Sequence, residues 1–228
     1  MDELMIKPIA HIKNAFAEKF ALPRQSGLVP ESVGELVFEK PYGVKEAFRG
    51  LEGYSHLWLV WGFSETFGAE WSPTVRPPRL GGNKRMGVFA TRAPYRPNPI
   101  GLSCVKIEKI DLDASNGPTI TVSGADLMDG TPIYDIKPYL PYADSYPQAQ
   151  AGFGGEKLSY KLSVEFPKDL LARIDEVHRV PLIAVLEQDP RPAYQNDATR
   201  VYGFRYACYE IKFTVNADRL CVCEVLCL

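Results

Sequence analysis

Apolar and polar positions along this chain alternate over short stretches, and the stretches are separated by proline and glycine. That is the rhythm of strands joined by tight turns. Ile6 to Ile12 alternates loosely, and Glu35 to Glu39 makes a second short run. Ser55 to Phe63 (SHLWLVWGF) is almost wholly apolar, which predicts a strand buried on both faces. Met86 to Thr91 follows, then Val105 to Leu112. There the apolar parity switches between Ile107 and Ile110, so a bulge is expected. Thr119 to Ser123 and Thr131 to Ile136 complete the set, and no helix of ten residues or more is signalled before about Lys168. Many short strands with turn-rich joints predict a mainly β fold, a barrel or a sandwich.

The pattern changes after Asp144 to Gly155 (DSYPQAQAGFGG), a small, polar, glycine-containing stretch of the kind found at domain edges. Pro167-Lys168-Asp169 opens a helix expected to run to about His178, with Leu170, Leu171 and Ile174 on one side. Pro181 to Gln188 reads as a second short helix stopped by Pro190. Phe204 to Val215 and Leu220 to Leu226 flank Asn216-Ala217-Asp218-Arg219, a hairpin signal. The expected organisation is a strand-rich domain over 1–150 and a small α+β domain over 156–228.

Composition narrows the class. An apolar share of 46% and a charged share of 24% are those of a globular chain with a real core. The acidic N-terminal residues do not make a secretion signal, and no apolar run approaches the ~20 residues that span a bilayer. A cytoplasmic protein with no membrane partner is expected. Five cysteines without framework spacing argue against a disulfide scaffold. Cys221, Cys223 and Cys227 share a parity and read as small buried hydrophobes on one strand face. No CxxC pair supports a metal site, so none is assigned.

Charge is uneven. The net value is −2, yet Trp71 to Ile107 holds no Asp or Glu while carrying Arg76, Arg79, Lys84, Arg85, Arg92, Arg96 and Lys106. A positive window on an otherwise acidic chain concentrates anionic ligands at one place, unless its carboxylate partners lie elsewhere in sequence. The densest part is VRPPRLGGNKRMGVFATRAPYRPNPIGLS, 75–103. Its prolines stiffen the backbone and its glycines allow close approach, so the arginines are held in fixed places. Fixed guanidinium forks suit carboxylate or phosphate, although the same loops could simply cap strand ends.

A second stretch, GADLMDGTPIYDIKPY at 124–139, clusters Asp126, Asp129 and Asp135 with Lys137 and Tyr139. Such carboxylates can bind hydroxyls or serve as a base, or merely shape turns. Turn chemistry is the better account of Asp126, and for Asp129 the two readings weigh equally. His56 reads as a structural histidine at a strand start. There is no Gly-x-Gly-x-x-Gly after a strand, no Gly-x-Ser-x-Gly and no His-Glu-x-x-His. The residues alone describe a strand-rich anion binder and name no reaction.

Taken together, several stretches resemble the TrmO family, also called YaeB or TsaA-like. They are PRQ at 23–25, GLEGYSHLW at 50–58, the 75–103 stretch and DLMDGTPIYDIKPY at 126–139. LEQDPRPAY at 186–194 and YEIKFTV at 209–215 resemble the C-terminal domain of bacterial members. The resemblance implies a single-sheet β-barrel N-terminal domain that works as a homodimer. It also implies an S-adenosylmethionine-dependent tRNA methyltransferase acting on N6 of N6-threonylcarbamoyladenosine beside the anticodon. The cofactor contacts it implies are Pro23, Arg24, Gln25, Ser64, Glu65, Arg92, Leu102, Asp129, Gly130, Thr131 and Pro132. Ser64-Glu65 stands where relatives often carry His-Gln, Ala93 where a Ser is common, and Asn14-Ala15 where Ser-Pro is usual.

A mechanism follows as an expectation. Arg76, Arg79 or Arg96 would grip the threonyl carboxylate bidentately. Tyr95 or Tyr139 would stack a splayed base of the anticodon loop, with Lys137 nearby. Asp129 and Asp135 are the candidate bases. Arg191, Arg200 and Arg205, interleaved with Tyr194, Tyr202, Phe204 and Tyr206, favour RNA contact over a plain aromatic core. The alternative from another class is a noncatalytic RNA- or nucleotide-binding barrel.

Overall fold

A computed structural model describes residues 4–77, 80, 84–154, 161–191 and 197–228. Six antiparallel strands close a barrel in the order β1-β2-β7-β6-β3-β8. They are β1 (Ala10–Lys13), β2 (Val33–Phe38), β3 (His56–Gly62), β6 (Ile100–Asp111), β7 (Thr119–Ser123) and β8 (Pro132–Pro138). Inward positions of each strand fill the barrel with one core that includes Ile12, Leu36, Leu57, Leu59, Val105, Ile120, Val122 and Ile133. The fold is mainly β and its N-terminal part is a closed barrel, as the pattern and the resemblance led one to expect.

Two strands differ instructively from expectation, and a third meets it. β3 is buried on one face only: Leu57, Leu59 and Trp61 point inward, while Trp58 and Val60 are half-exposed. A small barrel packs only its interior, so the apolar outer face has to be covered by loops. Trp58 is shielded by the Tyr139 ring at 5.8 Å and gives its Nε1–H to Asp144. The run from Met86 is a strand only as β5 (Met86–Gly87), paired with β4 (Thr74–Val75). It then curls into a 3-10 turn at Val88–Ala90, which Thr91 Oγ closes onto the Val88 carbonyl. β6 carries the expected irregularity, between Ile107 and Lys109.

A second sheet, β10-β11-β12-β9, is built from β9 (Ser163–Glu165), β10 (Tyr202–Tyr206), β11 (Tyr209–Asn216) and β12 (Arg219–Cys227). The expected strand Phe204 to Val215 is in fact two, β10 and β11. They turn at Ala207-Cys208, where Ala207 takes φ 51° with no Gly or Asn to announce it. The predicted helices also redistribute. One four-residue turn, α2 (Lys168–Leu171), precedes a twelve-residue helix, α3 (Glu176–Glu187), that holds Pro181 inside it. A further short helix, α1 (Pro141–Asp144), precedes the linker. Burying Leu182, Val185 and Leu186 outweighs the one hydrogen bond that Pro181 forfeits.

The cysteines are not buried hydrophobes. Cys223 and Cys227 are exposed and Cys221 is half-exposed, because Leu220, Val222 and Val225 take the inner face of β12. The bulge opposite Lys212/Phe213 shifts the parity on which the expectation rested.

The second core gathers Ile174, Leu182, Val185, Leu186, Phe204, Ile211, Phe213, Val215 and Val222. It also takes in Phe16, Ala21 and Val29 from the loop between β1 and β2. That loop is pinned at both ends. Ala207 donates its amide to the Ala15 carbonyl, and Gly27 donates its own to the Gly124 carbonyl beside the barrel. Gly124 sits at φ 76°, and a Cβ there would stand 3.3 Å from the Gly27 Cα, so conformation and contact both call for glycine.

Candidate functional site

The bridging loop carries Pro23-Arg24-Gln25 between the two cores, and a large groove opens there. Its volume is about 1510 Å³, and one wall is Phe20, Pro23, Arg24 and Gln25. The proline-rich loops add Arg76, Arg85, Phe89, Arg92 and Tyr95 to the lining. Phe153 and the end of α3, Gln188 to Arg191, extend it. Three arginines of the basic window, Arg76, Arg85 and Arg92, thus share one space with the Pro-Arg-Gln loop.

The guanidinium groups are held by neutral partners. Arg92 Nη1 donates to Gln25 Oε1, and Gln25 Nε2 donates to the Arg24 carbonyl at 2.5 Å. Arg24 Nη2 donates to the Asp189 carbonyl at 3.2 Å, and Arg85 Nη1 to Thr74 Oγ1 at 2.6 Å. Among the described residues none of Arg24, Arg76, Arg85, Arg92 and Arg96 has a carboxylate within ion-pair distance, whereas Lys106, Lys109 and Lys212 all do. The unmatched charge leaves a positive field at the groove, which suits an anion.

Arg96 is turned elsewhere. Its Nη1 donates to the Thr91 carbonyl at 2.9 Å and leans to that of Ala93, and its guanidinium stands 6.0 Å from the exposed Phe89 ring. It staples the loop that presents Arg92. Arg79 lies outside the described residues.

The Asp-Gly-Thr-Pro corner is not in the groove wall. Asp129 is exposed and accepts the Asn14 amide at 2.9 Å, while Thr131 and Pro132 are buried where β8 begins. Asp135 pairs with Lys137 at 2.9 Å. Tyr139 belongs to an outer aromatic group with Trp58 and His56. Leu102 lies on the outer face of β6 opposite Val60, 56% exposed, beside Ile100. Ser64 and Glu65 form a 3-10 turn just beyond the end of β3. Two sets of candidate residues therefore exist, one lining the groove and one around β3, β6 and β8.

Asp126 is the residue the sequence undersold. It accepts the Ser103 hydroxyl at 2.5 Å, and Ser103 in turn accepts Trp61 Nε1–H at 2.9 Å. Burial pushes the Asp126 carboxyl above the ordinary carboxylate value, partly offset by the Ser103 hydrogen bond and by the positive charge of Arg92. Its neighbours Ala125 and Leu127 are both core, a signal that a turn aspartate would not give. Asp189 was missed, and Arg191 was read as an RNA contact. Arg191 does not face solvent but binds Asp189 bidentately, at 2.8 and 2.9 Å.

Comparison with known proteins decides the family. Residues 11–145 match the profile described as the tRNA-methyltransferase O N-terminal domain, and 159–227 the TrmO C-terminal domain. The chain belongs to the TrmO family. It is 45% identical to the tRNA (adenine(37)-N6)-methyltransferase of Escherichia coli, over 95% of this chain and 93% of that protein. It is 42% identical to a putative S-adenosylmethionine-dependent methyltransferase of Pseudomonas aeruginosa, over 88% and 87%. A solved TrmO crystal structure from P. aeruginosa superposes with a TM-score of 0.80 at 33% identity, covering 100% and 99% of the two chains. TrmO membership also accounts for the missing glycine fingerprint, since a barrel of antiparallel strands does not build the strand-to-helix phosphate turn that the fingerprint serves.

The rings of the C-terminal TrmO region behave otherwise than expected. Tyr202, Phe204 and Tyr206 are core residues, closed to any base, and Tyr194 lies outside the described residues. Their alternation with Gly203 and Arg205 is that of a strand with one buried face.

Proposed function

We propose that this chain transfers a methyl group from S-adenosylmethionine to N6 of adenine 37 in tRNA, where that nitrogen carries a threonylcarbamoyl group. The observation that carries the reading is the groove. Arginines without a carboxylate partner among the described residues are fixed by neutral groups around a space with aromatic and apolar walls. The cofactor's carboxylate needs a guanidinium and its adenine an apolar wall, so the donor set fits: Arg24 and Arg92 for the first, Phe20 and Pro23 for the second. Gln25 would hold Arg92 in place. When bound, S-adenosylmethionine supplies a methyl group on a positively charged sulfur.

The protein's own work is alignment and charge. Arg76 also lines the groove, so it would take the threonyl carboxylate or the anticodon-loop phosphates, and Tyr95 offers an exposed ring for a splayed base. The acceptor N6 must lose a proton as its new bond forms. The candidate bases, Asp129 and Asp135, stand outside the groove wall with the set around β3, β6 and β8, so the groove itself supplies neither. Asp129 is the freer of the two, since Asp135 already pairs with Lys137. The division into a cofactor domain over 1–150 and a tRNA-facing domain over 156–228 follows the same reading, though the loop at 14–29 packs into the second core.

The enzyme would work in the cytoplasm as a homodimer. Phe67, Ile100 and Leu102 form an exposed apolar stripe on the outer barrel face, which suits a second copy. Burial there would also enclose Leu102 and the nearby Ser64-Glu65 turn, the set left outside the groove. The deciding experiment is mass analysis of nucleosides from threonylcarbamoylated tRNA incubated with the protein and labelled S-adenosylmethionine. A labelled methyl on the threonylcarbamoyladenosine is expected; label on another nucleoside, or none, overturns the reading.

A further inference from the structure

We propose that Asp189 and Arg191, which follow α3, are positioning residues for the cofactor wall, acting through Arg24 rather than through RNA. The inference rests on reading the groove as the cofactor site.

Helix α3 is anchored in the second core by Leu182, Val185 and Leu186, and it ends at Glu187, with Gln188 as its C-cap. The next residue, Asp189, adopts φ 52°, the left-handed conformation that usually falls to glycine at this point. Pro190 then prevents the helix from resuming. An aspartate held in that conformation has to be fixed by its surroundings. Here the fixing group is Arg191. Its Nε and Nη2 donate to the two carboxylate oxygens of Asp189, and its side chain is only 8% exposed. The clasp turns the Asp189 carbonyl outward to accept Arg24 Nη2 at 3.2 Å.

Arg24 is fastened at both ends by the same body. Its preceding residues Phe20, Ala21 and Leu22 pack on the core that holds α3, and its guanidinium rests on the carbonyl at the end of α3. The Arg24 carbonyl accepts Gln25 Nε2, and Gln25 Oε1 accepts Arg92. Three stretches far apart in sequence, 189–191, 24–25 and 92, thus form one continuous hydrogen-bonded wall of the groove. The last link belongs to the barrel part of the chain and the first to the segment that follows α3. The C-terminal part therefore shapes the cofactor wall as well as any RNA surface it offers.

The test uses the full-length protein and measures S-adenosylmethionine affinity by calorimetry without tRNA, then KM for each substrate. Asp189→Ala keeps the carbonyl but loses the clasp and the favoured backbone. We expect affinity for the cofactor to fall about tenfold, with its KM rising in step and the KM for tRNA unchanged. Asp189→Asn, which tolerates the left-handed backbone, is expected to fall between parent and Ala, and it carries the test if the Ala variant does not fold. In an Arg24→Ala background the effect of Asp189→Ala should vanish, which a general loss of stability would not produce. Unchanged cofactor affinity with a raised KM for tRNA, or effects that simply add to those of Arg24→Ala, overturns the proposal. Cofactor affinity unmoved by Arg24→Ala alone would instead remove the groove reading beneath it.

Discussion

The indole of Trp61 lies over Gly101, so close that a Cβ there would stand 2.2 Å from Cε2. The two face each other across the β3–β6 pair. This contact sets the ring so that its Nε1–H reaches Ser103, which is 1% exposed and donates its own hydroxyl hydrogen to Asp126. Gly101→Ala must move the indole. It should destabilise the fold by about 1–3 kcal/mol, the usual range for overpacking a filled core. A denaturant midpoint equal to the parent's, at equal slope, would show that the ring gives way without cost.

Asp126 lies at the end of that relay, and its titration should be visible in stability. Burial raises its carboxyl above the ordinary value of 3.8, so the folded state holds the proton more tightly than the unfolded chain. Stability from this group is then fully present below the unfolded value and is lost as pH rises through the folded one. Asp126→Asn keeps an acceptor for Ser103 but cannot titrate. Relative to that variant, the parent should gain stability as pH falls from neutrality towards 4, and hold no advantage at pH 7. Parallel stability curves for the two proteins over that range would contradict the assignment.

Arg76 stands at the groove with no carboxylate partner among the described residues, so its charge is available to a polyanion. Arg76→Ala should weaken tRNA binding and lower the slope of log affinity against log salt by roughly 1, as expected for one phosphate contact. Lys109→Ala serves as the comparison, because Lys109 is already paired with Asp111 at 2.7 Å. Fluorescence titrations at several salt concentrations would show this difference. Equal slopes for Arg76→Ala and the parent would mean that Arg76 meets no phosphate.

Much of this was legible in sequence, for identifiable reasons. Thr119–Ser123 coincides with its predicted strand because its apolar residues alternate between plain turn signals, and three arginines of the acid-free window, Arg76, Arg85 and Arg92, do line one groove. Contacts between distant segments were not legible. Asp189 looks like a loop aspartate before a proline, and only the fold shows that Arg191 closes on it while Arg24 rests on its carbonyl. Arg96 failed to stand out from Arg92 for the same reason: identical side chains four residues apart point to different partners. The turn at Ala207 escaped notice because its left-handed backbone is imposed by the pairing of β10 with β11, not by a turn residue.

Gln25 offers the sharpest probe of the groove because its two ends do different things. Its amide nitrogen fixes it to the Arg24 carbonyl, and its oxygen accepts from Arg92. That bond to a neutral group orients Arg92 without cancelling its charge. Gln25→Glu is nearly isosteric, but it replaces a dipole with an anion against the guanidinium. The fold should be about as stable, since a new ion pair of up to about 1 kcal/mol near the surface is offset by the loss of the Nε2 donor to the Arg24 carbonyl. Affinity for an anionic ligand at Arg92 should nevertheless fall, because the ligand carboxylate now competes with the introduced side-chain carboxylate and is repelled by it. Gln25→Ala frees Arg92 without neutralising it and should cost less. Calorimetric affinities for S-adenosylmethionine in the order parent, Ala, Glu from tightest to weakest are expected. A Glu variant that binds as tightly as the parent would mean that the charge of Arg92 is not what the cofactor meets.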